Sequence, residues 1–197
     1  MFTSGLVSVS FRQLDCDRII AEASAAGIDA IEWGGDIHVP HGNLKQASAV
    51  RAKCAAAGIA VSAYGSYYRA GYSEDHGLKF ADVLATAAEL DTPLIRVWAG
   101  GIASAKATAA ERGAIVADLR RIAAMAWQCG IAVATEYHAD TLVDSTESAS
   151  RLLFEEVNHP GLLTFWQPPL GMPVADCRDG LRRMLPKLAS IHVFYWL

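Results

Sequence analysis

One short stretch of the sequence ends in polar side chains that could carry out acid–base or metal chemistry. Residues 131–141, IAVATEYHADT, begin as an apolar strand and reach Glu136, His138 and Asp140 near the predicted strand end. Alternation along a strand places Glu136 and His138 on the same face as the small residue Ala134. A surface glutamate in a solvated turn is the alternative, which this shared face disfavours. An acid at the end of a strand that follows a long helix is typical of α/β active sites.

Other polar side chains are expected at or near the ends of further strands, on the same face. They are Glu32 in the second strand, Arg96 and Trp98 in the fourth, Gln167 in the sixth and His192 in the seventh. A lone strand histidine is more often a hydrogen-bonded core residue, and Arg96 with Glu32 could be a structural ion pair. Convergence of acid, imidazole and amide groups from several strands instead favours a site. Such ligands suit a divalent Mn, Mg, Co or Zn ion.

These residues belong to a pattern that repeats along the chain, in which a helix ends at a glycine and a strand follows. It precedes DAIEW, AVSAY and AVATEY, and the first two copies are about thirty residues apart, the size of a strand with its crossover helix. Long loops follow strands two and three, whereas the turns before strands are short, as in a (β/α)8 barrel. A flavodoxin-like sheet is the rival, and it lacks a glycine-rich loop after strand one. The predicted fold is an incomplete α/β TIM barrel of about seven strands, in one domain over residues 1–197.

The predicted element boundaries follow from periodicity and capping signals. The strands are 6–10, 30–33, 60–64, 94–98, the start of 131–141, 162–167 and 191–195. The helices begin near residues 14, 44, 78, 108, 144 and 177, with a Thr108–Glu111 capping box and an Asp144 cap. Because a complete barrel has eight strands in about 250 residues, the sequence is expected to lack the last βα portion.

Composition limits the classes of partner. Hydrophobic residues make up 52% and charged residues 19% of the chain, with a formal net charge of −4 and no recurring basic helix face. Nucleic-acid and anionic-membrane binding are therefore not expected. No signal peptide or membrane-spanning apolar run is seen, so a cytoplasmic protein is expected.

The four cysteines are widely spaced and form no CxxC pair, so buried free thiols are expected. They are Cys16, Cys54, Cys129 and Cys177.

Several motifs together resemble the xylose-isomerase-like TIM-barrel superfamily. They are IEWGGDIHVPHG, YGSYYRAG, IRVWAG, ATEYHADT, FWQPP and IHVFYW, and they span most of the chain. This superfamily contains sugar and sugar-phosphate isomerases and epimerases, dehydratases and endonuclease-IV-type nucleases. The motifs are specific for the superfamily and not for a substrate.

The resemblance implies roles for individual residues. In the epimerase branch a Glu, an Asp, a His and a second Glu hold the metal; Glu136 matches the first, Gln167 stands at the Asp position and His192 matches the third. The fourth ligand would follow Leu197. Since Gln offers a neutral oxygen, metal binding is expected to be weakened or lost. Glu136 would also be catalytic, and substrate hydroxyls would be bound by Glu32, His38, Arg96, Trp98 and His138.

The implied activity is metal-dependent isomerisation or epimerisation of a small ketose, polyol or related carbohydrate by proton transfer through an enediolate. A degenerate barrel that binds a sugar or a partner without turnover is the alternative. An endonuclease-IV-type nuclease ranks last, because it needs more His and Asp ligands and a basic face. Association into a homo-oligomer is left open.

Overall fold

The computed structural model of the protein describes residues 3–168 and 171–193, in which strands and helices alternate along the chain. The strands are β1 (Gly5–Val7), β2 (Ala30–Gly34), β3 (Ala60–Arg69), β4 (Leu94–Trp98), β5 (Ala132–Glu136), β6 (Leu162–Trp166) and β7 (Leu188–Ile191). The α-helices are α1 (Cys16–Ala25), α2 (Leu44–Ala56), α3 (Phe80–Glu89), α4 (Ala109–Gln128), α5 (Thr146–Ser150) and α6 (Val174–Met184). Short 3₁₀ turns cover Ser8–Phe11, Ser73–His76 and Leu185–Lys187, and a π-helical segment covers Arg151–Glu156.

The strands of the described residues form one sheet of seven strands, ordered β1 to β7 as in the chain. The pairs β1–β2, β2–β3, β5–β6 and β6–β7 are parallel. Parallel strands in chain order need a crossover between each pair, and this is the topology of a (β/α)8 barrel. The predicted fold class, an incomplete TIM barrel of about seven strands, is confirmed.

The chain divides into two compact units. The first comprises Met1–Tyr67 and Lys79–Ile95, and the second comprises Tyr68–Leu78 and Arg96–Leu197. A single domain over residues 1–197 stays a prediction.

The first unit is built on β2, all of whose residues are buried. Ile31 and Trp33 are fully buried in it. Helix α1 begins where the side chain of Asp15 accepts a hydrogen bond of 2.8 Å from the Arg18 backbone N–H. Helix α2 begins in the same way at Asn43. These caps satisfy backbone donors that the first helical turn leaves free, and so set where each helix starts.

Helix α4 of the second unit confirms its predicted capping box. The Glu111 backbone N–H donates to Thr108 Oγ1 at 3.2 Å, and the Thr108 backbone N–H donates to Glu111 Oε2 at 2.8 Å. The helix then buries Ile115, Leu119 and Ile122. These residues recur at the three- and four-residue spacing of one helix face, which packs inward while the opposite face meets solvent.

The cap predicted at Asp144 is wrong. Ser145 is the cap, since its side chain accepts a hydrogen bond of 3.2 Å from the Ser148 backbone N–H. The helix becomes π-helical at Arg151, and Arg151 Nε lies 2.8 Å from Glu156 Oε1. Residues five apart meet on a π-helix, so its wider turn brings this charge pair together.

Three strands differ from prediction by more than one residue at an end. Strand β1 ends at Val7 instead of residue 10, and β7 begins at Leu188 and ends at Ile191. The rest of the predicted seventh strand, from residue 194 on, lies outside the described residues. Strand β3 continues past Gly65 to Arg69. The sequence predicts a loop after residue 64, yet Gly65 pairs in register with Gly34 of β2, where neither residue has a side chain.

The cysteines are free thiols, and their predicted burial is partly wrong. Cys16 and Cys54 are buried, whereas Cys129 is exposed and Cys177 is intermediate. Cys129 ends α4 next to Gly130, where the chain turns at the surface. Within residues 3–168 and 171–193, the structure has no helix with both the length and the apolar character needed to cross a membrane.

Candidate functional site

Glu136 is the last residue of β5 and is only 7% exposed. The three residues of β5 before it are completely buried; they are Val133, Ala134 and Thr135. A carboxylate at the carboxyl end of a buried strand is shielded from water while still facing the end of the sheet where α/β proteins bind ligands.

Two donors from the neighbouring strand β4 hold one oxygen of this carboxylate. Trp98 Nε1–H donates to Glu136 Oε2 at 2.6 Å, and the guanidinium of Arg96 donates to the same oxygen. Arg96 and Trp98 are two residues apart, so they share a face of β4. The side chain of Arg96 is 3% exposed, which makes the Arg96–Glu136 contact a buried ion pair.

His192 approaches the other oxygen. Its Nδ1 lies 3.4 Å from Glu136 Oε1. The residue follows β7 directly, and its backbone N–H donates to the Trp166 carbonyl at 3.0 Å, which extends the pairing of β7 with β6. Its ring centroid is 4.9 Å from that of Phe165. The structure therefore brings Arg96, Trp98, Glu136 and His192 together.

These contacts determine the ionisation of Glu136. Burial alone raises the pKa of its carboxyl, but the hydrogen bond from His192, the charge of Arg96 and the hydrogen bond from Trp98 lower that pKa to about 2. Opposite charges and donated hydrogen bonds favour the ionised form of a carboxyl. Glu136 is therefore an anion throughout the physiological pH range.

Two other predicted residues lie beside this cluster. The exposed ring of His138 has its centroid 4.6 Å from that of Trp98, and its Nδ1 lies 2.7 Å from the Ala139 carbonyl oxygen. The amide nitrogen of Gln167 donates to the Tyr137 carbonyl, which follows Glu136 in the chain.

Glu32 and His38 belong to the first unit, and both are buried. His38 Nδ1 lies 3.0 Å from Ser8 Oγ, and Nε2 lies 3.2 Å from the Leu14 carbonyl oxygen. Both ring nitrogens of His38 thus have partners, and these contacts stabilise the turn after β2. Substrate binding by Glu32 and His38 stays a prediction.

Residues 20–166 match the family model described as Xylose isomerase-like TIM barrel. The chain belongs to this family. None of the curated proteins compared with the sequence matches it.

Solved structures of similar fold include the following three. One is the probable 3-DHS dehydratase AsbF of petrobactin synthesis from Bacillus anthracis, 22% identical, with a TM-score of 0.76 over 95% of this chain and 71% of that one. Another is D-psicose 3-epimerase with D-tagatose from Clostridium cellulolyticum, 16% identical, with a TM-score of 0.79 over 97% and 72%. A third is a Xylose isomerase-like TIM barrel protein from Mycobacterium smegmatis in complex with magnesium, 16% identical, with a TM-score of 0.75 over 98% and 76%. At these identities the likeness shows the fold.

The donor atoms of this Xylose isomerase-like chain fit one edge of a divalent-metal site. Metal–oxygen and metal–nitrogen bonds of about 2.0–2.2 Å place neighbouring tetrahedral ligand atoms roughly 3.4 Å apart. Glu136 Oε1 and His192 Nδ1 have that separation, 3.4 Å, which is longer than a strong charge-assisted hydrogen bond. Over residues 3–168 and 171–193, no three His, Cys, Asp or Glu side chains form a metal-binding group. The pair therefore needs further ligands, and the neutral oxygen of Gln167 stays a predicted one.

One residue that lies next to the Glu136 cluster was not identified from the sequence. Arg69 ends β3, and its guanidinium carbon lies 4.7 Å from the centroid of the Trp98 ring. It was overlooked because the strand was predicted to stop at Tyr64. The polar–aromatic run after Gly65 was the available signal, since Ser66 and Tyr68 are both buried and alternate with more exposed residues.

Proposed function

We propose that this chain carries the site of a divalent-metal-dependent sugar isomerase or epimerase, which acts on a small ketose, polyol or related carbohydrate. The observation that carries the proposal is the buried, ionised Glu136, whose Oε1 lies 3.4 Å from His192 Nδ1. An anionic carboxylate and an imidazole are ligands for a divalent Mn, Mg, Co or Zn ion, and their separation suits tetrahedral coordination.

In this proposal Glu136 and His192 hold the ion, with the Gln167 side-chain oxygen as a weaker third ligand. When bound, such an ion supplies Lewis acidity, which polarises a substrate carbonyl and stabilises an enediolate. Arg96 and Trp98 fix the orientation of the Glu136 carboxylate through Oε2. Orientation set before substrate arrives is a large part of what an active site contributes.

Glu136 is also proposed to transfer a proton to and from the carbon next to the substrate carbonyl. A base works best when its pKa lies near the working pH, and the pKa of about 2 makes Glu136 a weak base in the described arrangement. The return of the proton to the substrate is then the favourable step. Trp98 and His138 are proposed to contact the sugar face and hydroxyls.

A second candidate function is a barrel that binds a sugar or a partner without turnover. The Gln167 amide favours it, because its nitrogen donates to the Tyr137 carbonyl and its oxygen carries no charge for a metal ion. Weak metal binding would leave a carbohydrate site without its Lewis acid.

Deuterium exchange distinguishes an isomerase or epimerase from a protein that binds a sugar without turnover. The chain is incubated in D₂O with Mn²⁺ and ketoses such as D-tagatose or D-fructose, and NMR detects deuterium at the carbon next to the carbonyl. The enzyme incorporates deuterium, Glu136→Gln abolishes incorporation, and the exposed control Glu22→Gln retains it. Sugar binding without incorporation and without Mn²⁺ uptake would support the binding protein instead.

A further inference from the structure

The backbone around Arg69 is held in place from several sides. Tyr68 Oη and the Gly71 backbone N–H both donate to Asp118 Oδ2 at 2.8 Å. The Arg69 backbone N–H donates to Ser73 Oγ at 2.8 Å. Anchoring the residues before and after Arg69 to one carboxylate of α4 fixes where its side chain begins.

Among the residues that the structure describes, the guanidinium of Arg69 has an aromatic partner and no acidic one. Its central carbon lies 4.7 Å from the Trp98 ring centroid, a cation–π distance. A Cβ built on Gly101 would stand 3.3 Å from Arg69 Nη1, so the backbone there passes close to the side chain. No Asp or Glu of the described ranges forms an ion pair with Arg69.

Two largely buried arginines of the same unit differ in this respect. Arg96 pairs with Glu136, and Arg112 pairs with Glu156. A half-buried cation without a carboxylate partner keeps its full capacity to bind an anion, and a guanidinium presents donors in a fork that matches a carboxylate or a phosphate.

Trp98 links this cation to the proposed reaction centre. The Trp98 indole that contacts the Arg69 guanidinium also donates a hydrogen bond of 2.6 Å to Glu136 Oε2. Its ring centroid lies 4.6 Å from that of His138. A sugar ring packed along the indole would therefore reach Glu136 with one part and Arg69 with another. His138 Nδ1 contacts the Ala139 carbonyl, so its Nε2 is the nitrogen left to face a ligand.

We propose that the substrate of this site carries an anionic group, a carboxylate or a phosphate, which Arg69 binds beside Trp98 with His138 as an auxiliary donor. The inference rests on the proposed function and narrows its substrate class to acidic or phosphorylated carbohydrates. Arg69 thereby determines specificity and takes no part in proton transfer.

Isothermal calorimetry on the whole chain with matched sugar pairs tests the proposal. One pair is D-glucuronate and D-glucose, and the other is D-fructose 6-phosphate and D-fructose, so each pair differs only in the anionic group. We expect the anionic member of at least one pair to bind about tenfold or more tightly, with an advantage that shrinks as salt is added. The pair that shows the preference identifies the group as carboxylate or phosphate.

Variants separate anion binding from a structural role of Arg69. Arg69→Met keeps an unbranched side chain over Trp98 and is expected to remove the preference for the anion while leaving neutral-sugar binding in place. Arg69→Lys keeps the charge and is expected to retain part of the preference for the anionic sugar. It replaces Arg69→Met as the test variant if the Met variant fails to fold. The control Arg182→Met removes an exposed arginine of α6 and is expected to change nothing.

Each other outcome is decisive. Equal binding of both members of both pairs, or an equal loss for anionic and neutral sugars in Arg69→Met, overturns the anion proposal. In that case, neutral-sugar binding that is lost in Glu136→Gln would still support the proposed function. Binding of no sugar and no Mn²⁺ overturns both.

Discussion

Trp98 Nε1–H donates a hydrogen bond of 2.6 Å to Glu136 Oε2, which joins the ends of β4 and β5. Because Arg96 donates to the same oxygen, one side of the carboxylate is held by two donors and the other side faces His192. The carboxylate thus has its orientation and charge before any ligand is present, and its environment can be tested one contact at a time.

Replacing Trp98 by Phe keeps an aromatic ring and removes the donor. The pKa of Glu136, about 2 in the intact chain, should rise, because a hydrogen bond to the charged form is lost. The loss of stability should be on the order of 1 kcal/mol, since Arg96 still donates to Oε2. Urea unfolding measures the stability, and carbon NMR of the glutamate carboxyls follows the titration. Trp127→Phe, at an exposed position, should leave both unchanged; an unaltered Glu136 titration in Trp98→Phe would contradict the assigned contact.

The low pKa of Glu136 also predicts how stability depends on pH. Its folded pKa of about 2 lies below the ordinary value of 4.5, so the unfolded chain binds the proton more readily. The stabilisation is fully present above about pH 4.5 and is lost as the pH falls through this window toward 2. Urea unfolding between pH 7 and 3 should show a steeper loss for the natural chain than for Glu136→Gln. In the control Glu22→Gln the profile should parallel that of the natural chain, and identical profiles for all three would refute the shift.

Gln167→Asp should strengthen metal binding. A carboxylate adds a charged oxygen to the Glu136–His192 pair, where the amide offers only a neutral one. We expect the affinity for Mn²⁺ to rise about tenfold or more, because hard divalent cations prefer carboxylate ligands. Calorimetric titration with Mn²⁺ measures it, with Gln13→Asp in an exposed turn as the control. The same affinity in Gln167→Asp and Gln13→Asp would exclude residue 167 as a ligand.

Removing the side chain of Asp118 should loosen the segment that carries Arg69. Asp118→Ala leaves Tyr68 Oη and the Gly71 backbone N–H without their shared acceptor. Stability should fall by about 1 kcal/mol, because the part-buried Tyr68 hydroxyl loses its acceptor while the exposed Gly71 N–H can bind water instead. Limited proteolysis should then cleave within residues 69–77 faster than in the control Asp179→Ala on α6. Cleavage at the same rate in both variants would show that other contacts hold the segment.

Local signals in the sequence were sufficient for much of the fold. The Thr108–Glu111 capping box and the boundaries of β4 were predicted correctly, because both depend on residues close together in the chain. The position of Glu136 at the end of β5 likewise follows from a short apolar run. The family itself could be recognised from motifs at successive strand ends, and the family match over residues 20–166 confirms it.

Contacts between distant residues decided the rest. The polar–aromatic run after Gly65 is too short a signal to predict that β3 continues, and the pairing of Gly65 with Gly34 of β2 joins residues far apart in the chain. The donors that lower the pKa of Glu136 come from β4 and from the residue after β7. The stacking of Arg69 on Trp98 joins residues 29 positions apart. Periodicity and capping signals depend on residues that are close together in the chain. The ionisation of Glu136 and the position of Arg69 beside Trp98 depend on side chains that only folding brings within a few ångströms.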